Sequence, residues 1–228
     1  MRFAAVAPHG EIAGDLAAAM EELGQRLPTN ETLVVVTPHN IHVDGHFAVV
    51  VSARVGAHDV DRELALRLVE AIRTADLPVV GVSYGGNDAT QAEHPSDWGT
   101  DVPLQWLPAE RIVVIAPARD RPLEEHVRLG EALREAGVQS LLASADHGHA
   151  HDADGPYGFD PAAAAYDARF RELAAGGDFR PLAELVEAAK ADSLWQLLVL
   201  QGATGGAAVE VLAYDAPTYY GMAVAIAT

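Results

Sequence analysis

The sequence predicts a single α/β domain with a central mixed, largely parallel sheet flanked by helices. Two observations favour this class: short apolar runs rich in β-branched residues recur along the chain, and amphipathic helical patterns separate them. The third observation is the length, because 228 residues suit one domain of this architecture and contain neither an internal repeat nor a long linker. We therefore expect residues 1–228 to form one domain.

Eight apolar segments predict the strands of this sheet. Each is short, is rich in valine, isoleucine, leucine or alanine, and is followed by a glycine, a proline or a polar cluster, as is typical of buried strands. In chain order the predicted strands cover residues 3–7, 33–36, 47–51, 78–82, 112–115, 140–143, 209–214 and 222–227. The last two follow a run of helical patterns, so we expect them to close the sheet.

Five stretches with helical periodicity lie among the predicted strands. They cover residues 61–75, 123–136, 161–175, 181–189 and 192–200. Asp61 is placed to cap the first, and Asp160 followed by Pro161 opens the third with a cap and a preset φ. His126 falls on the polar side of the second, so we expect its imidazole at the surface.

The composition excludes several classes of partner and site. The chain carries 33 acidic and 15 basic residues, a formal charge of -18 that repels polyphosphate and anionic lipid, so we expect neither nucleic acid nor a membrane as partner. It has no cysteine, which excludes a disulfide, a thiolate metal site and a catalytic thiol. The apolar runs are too short for a signal segment or for the roughly 18 residues of a membrane span, so a cytoplasmic location is expected.

Two histidines stand just past the ends of predicted strands. His9 follows the strand at 3–7 in Ala-Pro-His-Gly, and His39 follows the strand at 33–36 in Thr-Pro-His-Asn. Proline fixes the chain direction in both places, and the carboxyl ends of strands form the edge where open α/β sheets bind ligands. The pattern predicts two site histidines; the alternative is a pair of loop histidines hydrogen-bonded to backbone.

A third histidine cluster follows the predicted strand at 140–143. In an extended segment every second side chain points the same way, so His147, His149 and His151 are expected to line one face. Such a trio binds metal, or it supplies one imidazole that transfers protons near neutral pH. The alternative is a solvated polar loop.

A carboxylate usually completes a metal centre on two neutral imidazoles, because an anionic oxygen offsets the charge of the dication. Asp192 is a candidate, since it opens an otherwise mostly apolar helical stretch. The residues alone favour the alternative interpretation of Asp192, an N-cap that accepts a bond from backbone amides. Glu184 and Glu187 are rival ligands, although both are expected to face solvent.

Short motifs over nearly the whole chain resemble the class III extradiol ring-cleavage dioxygenases, the family of the protocatechuate 4,5-dioxygenase β subunit, with their Memo-like relatives. Ala-Pro-His at 7–9 and Thr-Pro-His at 37–39 are similar to the sites of the family's two metal histidines. Residues 97–104 are similar to its Asp-His-Gly followed by Val-Pro-Leu. Residues 144–149 resemble its Ser-Gly-Asp-Leu-Ser-His, and residues 220–225 its glycine-led last strand.

The resemblance implies a metal centre and an acid/base residue. It implies Fe(II), with Zn or Mn as alternatives, held by His9, His39 and Asp192, the last in a place where the family usually has glutamate. It implies that His149 takes a proton from the substrate hydroxyl and later returns it. Asp146 is expected to orient a neighbouring imidazole.

The resemblance also implies an aromatic substrate. Trp98 stands where many relatives have a histidine that contacts substrate, and with Tyr157 and His147 it is assigned to the substrate wall; for the two aromatic residues, packing alone is the alternative. The expected reaction is extradiol cleavage of a catechol-type or aminophenol-type ring, with a small diol and dioxygen as partners. Relatives form homo-oligomers or pair with a small second subunit. The rival interpretations are a Zn-dependent hydrolase on the same ligands and a Memo-like, non-enzymatic binding protein.

Overall fold

The computed structural model describes residues 1–85 and 87–228 and confirms the predicted class. Each predicted strand is present, with bounds that differ by at most two residues at either end. In chain order the strands are β1 (Phe3–Ala7), β2 (Thr32–Val36), β3 (Phe47–Val50), β4 (Arg54–Val55), β5 (His58–Asp59), β6 (Val79–Val82), β7 (Glu93–His94), β8 (Arg111–Ala116), β9 (Ser140–Ser144), β10 (Val209–Asp215) and β11 (Met222–Ala227).

The large sheet has the order β10-β11-β1-β9-β2-β8-β3-β6, and β5, β4 and β7 form a small second sheet. Its four central strands, β1, β9, β2 and β8, are mutually parallel, whereas β11 and β3 run antiparallel to their inner neighbours. The central strands are buried on both faces, which is why they are continuous apolar runs in the sequence. Because they are parallel, their carboxyl ends at Ala7, Val36, Ala116 and Ser144 share one border, here called the carboxyl edge.

Helices cover both faces of the sheet. In chain order they are α1 (Gly14–Arg26), α2 (Arg62–Thr74), α3 (Trp98–Leu104), α4 (Leu123–Glu135), α5 (Pro161–Ala174), α6 (Val186–Ala189) and α7 (Leu194–Thr204). The predicted caps are confirmed: Asp61 accepts a bond from the Leu64 amide at 2.9 Å, and Asp160 accepts one from the Ala162 amide at 2.8 Å. Among the described helices, none combines the length and the apolar character needed to cross a membrane.

Two of the predicted helices differ from the structure. Residues 181–189 form a 3-10 turn (Arg180–Glu184) followed by the short α6, because the Leu185 amide bonds three residues back to Leu182 and breaks the α pattern. The stretch predicted from residue 192 becomes helical only at Leu194, so Asp192 lies before α7. Helix α7 packs closely on α4, where a Cβ on Gly202 would overlap the Val127 carbonyl.

The structure also corrects the predicted position of His126. Its imidazole is fully buried within α4 and meets the ring of Phe47 edge-on, with 5.1 Å between centroids. Burial lowers the pKa of His126 to about 4. The helix turns this side chain toward the sheet, so the surface position expected from the sequence is wrong.

Candidate metal centre

His9 and His39 meet at the carboxyl edge. His9 follows β1 and His39 follows β2, and these strands flank β9, so the fold brings their loops together. The two Nε2 atoms lie 3.0 Å apart, and the rings are nearly perpendicular at 87°. His9 is buried, whereas the His39 side chain is 25 % exposed, which leaves one side of the pair open to the surface.

Asp192 joins this pair from the segment that leads into α7. Its Oδ2 lies 3.4 Å from the Nε2 of His9 and 3.2 Å from the Nε2 of His39. One donor atom from each of the three residues lies within 4.8 Å of the other two. The structure therefore brings residues 9, 39 and 192 together as the sequence predicts, in a buried group that could bind a metal ion.

The hydrogen bonding of Asp192 fits a metal ligand. Both carboxylate oxygens are buried, and neither has a hydrogen-bond partner within the described part of the chain. The capping residue of α7 is Ser193, and the amides at the start of the helix receive no side-chain bond from the described residues, so the N-cap interpretation of Asp192 is wrong. Glu184 and Glu187 are exposed and do not join the group. A buried carboxylate without donors needs a cation nearby.

The charges around His9 favour a cation at this point. Burial by itself would lower the pKa of His9, but the nearby carboxylates of Asp146 and Asp192 outweigh burial and raise that pKa to about 9. Burial by itself would raise the pKa of Asp192, but the His39 and His9 imidazoles hold it well below its usual range. Two buried carboxylates thus attract positive charge to the space that the imidazole nitrogens face.

Two residues at the end of β9 hold His9 in place. The Asp146 Oδ1 accepts the backbone N–H of His9 at 3.0 Å, and its Oδ2 lies 3.4 Å from the Nε2 of His9. The Ser144 hydroxyl lies 3.1 Å from the Nδ1 of His9, the nitrogen opposite the metal side. Such contacts fix the ring orientation of a ligand histidine. The imidazole next to Asp146 is therefore that of His9.

His149 stands beside this group with a defined tautomer. Its Nδ1 lies 2.8 Å from the carbonyl of His147, and since a carbonyl only accepts, Nδ1 must carry the hydrogen. The Nε2 of the neutral ring is then an acceptor. The ring stacks on Tyr220 with 5.7 Å between centroids and meets Tyr157 edge-on at 6.0 Å. The Nε2 of His149 is thus a proton acceptor that lies among aromatic side chains.

One cavity of about 210 Å³ is lined by His9 and His39 of the metal group and by His149. Its lining residues are His9, Gly10, His39, Trp98, Asp146, His149, Tyr157, Tyr219 and Tyr220. Trp98 and Tyr157, both assigned to the substrate wall, lie at its rim and are 60 % and 55 % exposed. A larger groove of about 510 Å³ lies between α2 and α4, but its lining consists of alanines, a threonine and charged side chains of these helices.

The other histidines of the third cluster do not face this cavity. His147 is fully buried, with its ring tilted against that of Phe170 at 4.2 Å between centroids and its Nδ1 3.3 Å from the Ser193 hydroxyl. The Nε2 of His151 lies 2.8 Å from Asp167. The predicted shared face is therefore wrong, because tertiary contacts turn each ring toward a different partner. The ring of His147 lies in the core, so the substrate-contacting role predicted for this residue is wrong.

Sequence reasoning missed three residues of this region. Tyr219 and Tyr220 line the cavity because they precede β11, which runs antiparallel to β1 and so begins at the carboxyl edge. Asp167 is fully buried in α5 and accepts bonds from the Gly148 amide, the Tyr214 hydroxyl and His151, all at 2.8 Å. An aspartate on the apolar side of the predicted helix was the available signal for Asp167. It anchors the segment that carries His149.

Comparisons with known proteins give a fold and no family. No protein-family model and no curated protein matches this chain. The crystal structure of an uncharacterized protein from Escherichia coli K12 is similar to it at 18 % sequence identity, with a TM-score of 0.69 and coverage of 100 % of both chains. At this identity the likeness shows a shared fold alone.

Proposed function

We propose that this chain is a non-haem Fe(II)-dependent extradiol dioxygenase that cleaves a catechol-type or aminophenol-type ring with dioxygen. The observation that carries the proposal is the convergence of His9, His39 and Asp192 next to His149 in an aromatic cavity. Two histidines and one carboxylate with open positions are the ligand set of non-haem Fe(II) oxygenases. The motif resemblance given above supports the same assignment.

The three ligands suit a divalent ion that must also bind substrate. Two neutral imidazoles and one carboxylate leave a +1 charge on the complex and leave coordination positions free. Bound there, Fe(II) supplies a common site at which a diol and dioxygen are brought to react. Ser144 and Asp146 hold His9 in its ligating orientation. Zn and Mn fit the same donors, so the iron assignment is part of the proposal.

His149 is the proposed acid/base residue. Its Nδ1–H is held by the His147 carbonyl, so its Nε2 has a free lone pair to accept a proton from a substrate hydroxyl. Imidazole suits both steps of such a reaction, the acceptance of a proton and its return. The stacked ring of Tyr220 limits the rotation of His149 and keeps this nitrogen in the cavity.

The aromatic lining suits a planar substrate and keeps water out. Tyr219 and Tyr220 meet in a T-shaped contact at 4.8 Å, and Trp98 lies 4.7 Å from the His39 ring on the other side of the metal group. Aromatic rings prefer such stacked and edge contacts with one another. A hydrolase acting on the same metal ligands would not need this lining, which is why the ring-cleavage reaction is favoured.

Anaerobic loading with Fe(II), followed by oxygen uptake with simple catechols, tests the proposal. We expect the parent to consume about one dioxygen per diol and form a coloured ring-opened product. The His149→Ala variant should keep its iron and lose turnover by roughly 10²–10⁴-fold, as removal of a general acid/base residue does. His42→Ala, at an exposed histidine outside the cavity lining, is the matched control. Full turnover in His149→Ala, or an oxygen-independent hydrolysis that requires Zn, would overturn the proposal.

A further inference from the structure

The described residues that line the cavity at the metal centre include aromatic side chains and one acidic side chain but no basic ones. Its nine lining residues are three histidines, three tyrosines, one tryptophan, one glycine and one aspartate, Asp146. Among the described lining residues there is no lysine and no arginine. The cavity therefore offers aromatic faces and one acidic side chain, but no basic one, to whatever substituent a substrate carries on its ring.

The arginine that the structure places near Trp195 is held away from this cavity. The guanidinium of Arg119 lies over the Trp195 ring, 4.8 Å from its centroid, and Arg119 is outside the cavity lining. Across the whole chain, acidic residues exceed basic ones by 33 to 15. The long-range field of this negative net charge thus disfavours the approach of an anion.

A carboxylate substituent would be poorly accommodated here. It would lose water on entry, meet no cationic side chain among the lining residues, and lie in the same small cavity as Asp146. An ammonium group would instead face the π surfaces of Tyr157, Tyr219 and Trp98, which attract cations. An uncharged alkyl group would pack on the same rings without a charge penalty.

The size of the cavity limits the ring system. A cavity of about 150 Å³ is enough to bind benzene. At about 210 Å³, the cavity here has room for one ring with a short substituent. Trp98 and Tyr157 form the partly open side, so a substituent on a bound diol would extend between these two rings.

We infer that this site selects single-ring catechols with an uncharged or amine-bearing substituent and discriminates against carboxylated ones. The inference rests on the proposed diol-cleaving function and adds the charge class of its substrate. It is carried by the cavity beside the His9, His39 and Asp192 group, whose lining has four aromatic rings of tyrosine and tryptophan, one aspartate and no described basic residue.

Three diols of nearly equal size test the charge preference. They are 4-ethylcatechol, dopamine and 3,4-dihydroxyphenylacetate, which carry a neutral, a cationic and an anionic group. Anaerobic titration calorimetry on the Fe(II)-loaded protein measures their binding without turnover. We expect the neutral and cationic diols to bind at least about tenfold more tightly than the anionic one, the order of effect of a cation–π contact and an unpaired charge.

A variant that adds a positive charge at the cavity rim gives a second test of the charge preference. Tyr157→Arg adds a guanidinium at the cavity rim and should raise affinity for 3,4-dihydroxyphenylacetate while lowering affinity for dopamine. Phe159→Arg adds the same charge nearby, at a residue that is 64 % exposed and outside the lining, and should leave the order unchanged. Tighter binding of the anionic diol by the parent would overturn the charge inference alone. Failure of the loaded parent to bind any of the three diols would overturn both the inference and the proposed function.

Discussion

The Nε2 atoms of His9 and His39 lie 3.0 Å apart with their rings nearly perpendicular, and both face the Oδ2 of Asp192. Two imidazole nitrogens and a buried carboxylate oxygen at such distances favour a positive charge between them. A proton on His9 satisfies part of this group, as the raised pKa of that residue indicates. A metal ion would satisfy all three donors at once.

Ser144 should tune metal affinity without touching the metal. Its hydroxyl lies 3.1 Å from the Nδ1 of His9, so Ser144→Ala removes the group that orients this ligand. We expect metal affinity to fall roughly 10–100-fold, the usual cost of losing such a partner, as measured by competition with a chelator. Ser52→Ala is the control, since Ser52 is also buried but bonds to Ser83. Unchanged affinity in Ser144→Ala would show that the contact does not orient His9.

Asp167 should be essential to the stability of the segment that carries His149. It accepts three hydrogen bonds in full burial, and an asparagine there would remove the negative charge and replace one accepting oxygen by a donor. We expect Asp167→Asn to lower the free energy of unfolding in urea by roughly 2–4 kcal/mol. Asp154→Asn, at an exposed position of the same connection, should change it little. Equal unfolding midpoints for the two variants would contradict the anchoring role.

His126 should make the fold sensitive to acid. Its folded pKa of about 4 lies below the ordinary value of 6.5, so the unfolded chain binds this proton first as the pH falls. Stability is therefore complete above about pH 6.5 and decreases toward pH 4, by on the order of 3 kcal/mol from this group. His126→Leu should flatten the dependence of unfolding free energy on pH between 7 and 5. His46→Leu, at an exposed histidine, should not, and equal pH dependence in the two variants would refute the assignment.

The sequence carried enough information for most of the sheet. The central strands are buried on both faces, so their positions are marked by apolar residues alone, as at 33–36. Helix α1 was not predicted because the described residues supply no side-chain cap at Ala13 and because its buried face includes the small side chain of Ala19. Helix α3 was missed because it is only seven residues long and contains Pro103.

The candidate site was predictable where it follows strand ends. His9 and His39 come directly after parallel strands, so the carboxyl edge brings them together. Asp192 was ambiguous because its sequence environment is equally that of a cap, and only tertiary packing places it at the histidines. The histidines at 147 and 151 were misassigned because alternation assumes an extended chain, whereas core contacts decide where these rings point.

Metal content tests the central claim most directly. The parent, His39→Ala, Asp192→Ala and the control His42→Ala are incubated anaerobically with Fe(II), desalted and analysed for iron per chain. The account predicts about one iron per chain in the parent and in the control, and a loss of stoichiometric iron in the other two variants, because each removes one of three ligands. Iron content in His39→Ala and Asp192→Ala equal to that of the parent would contradict it.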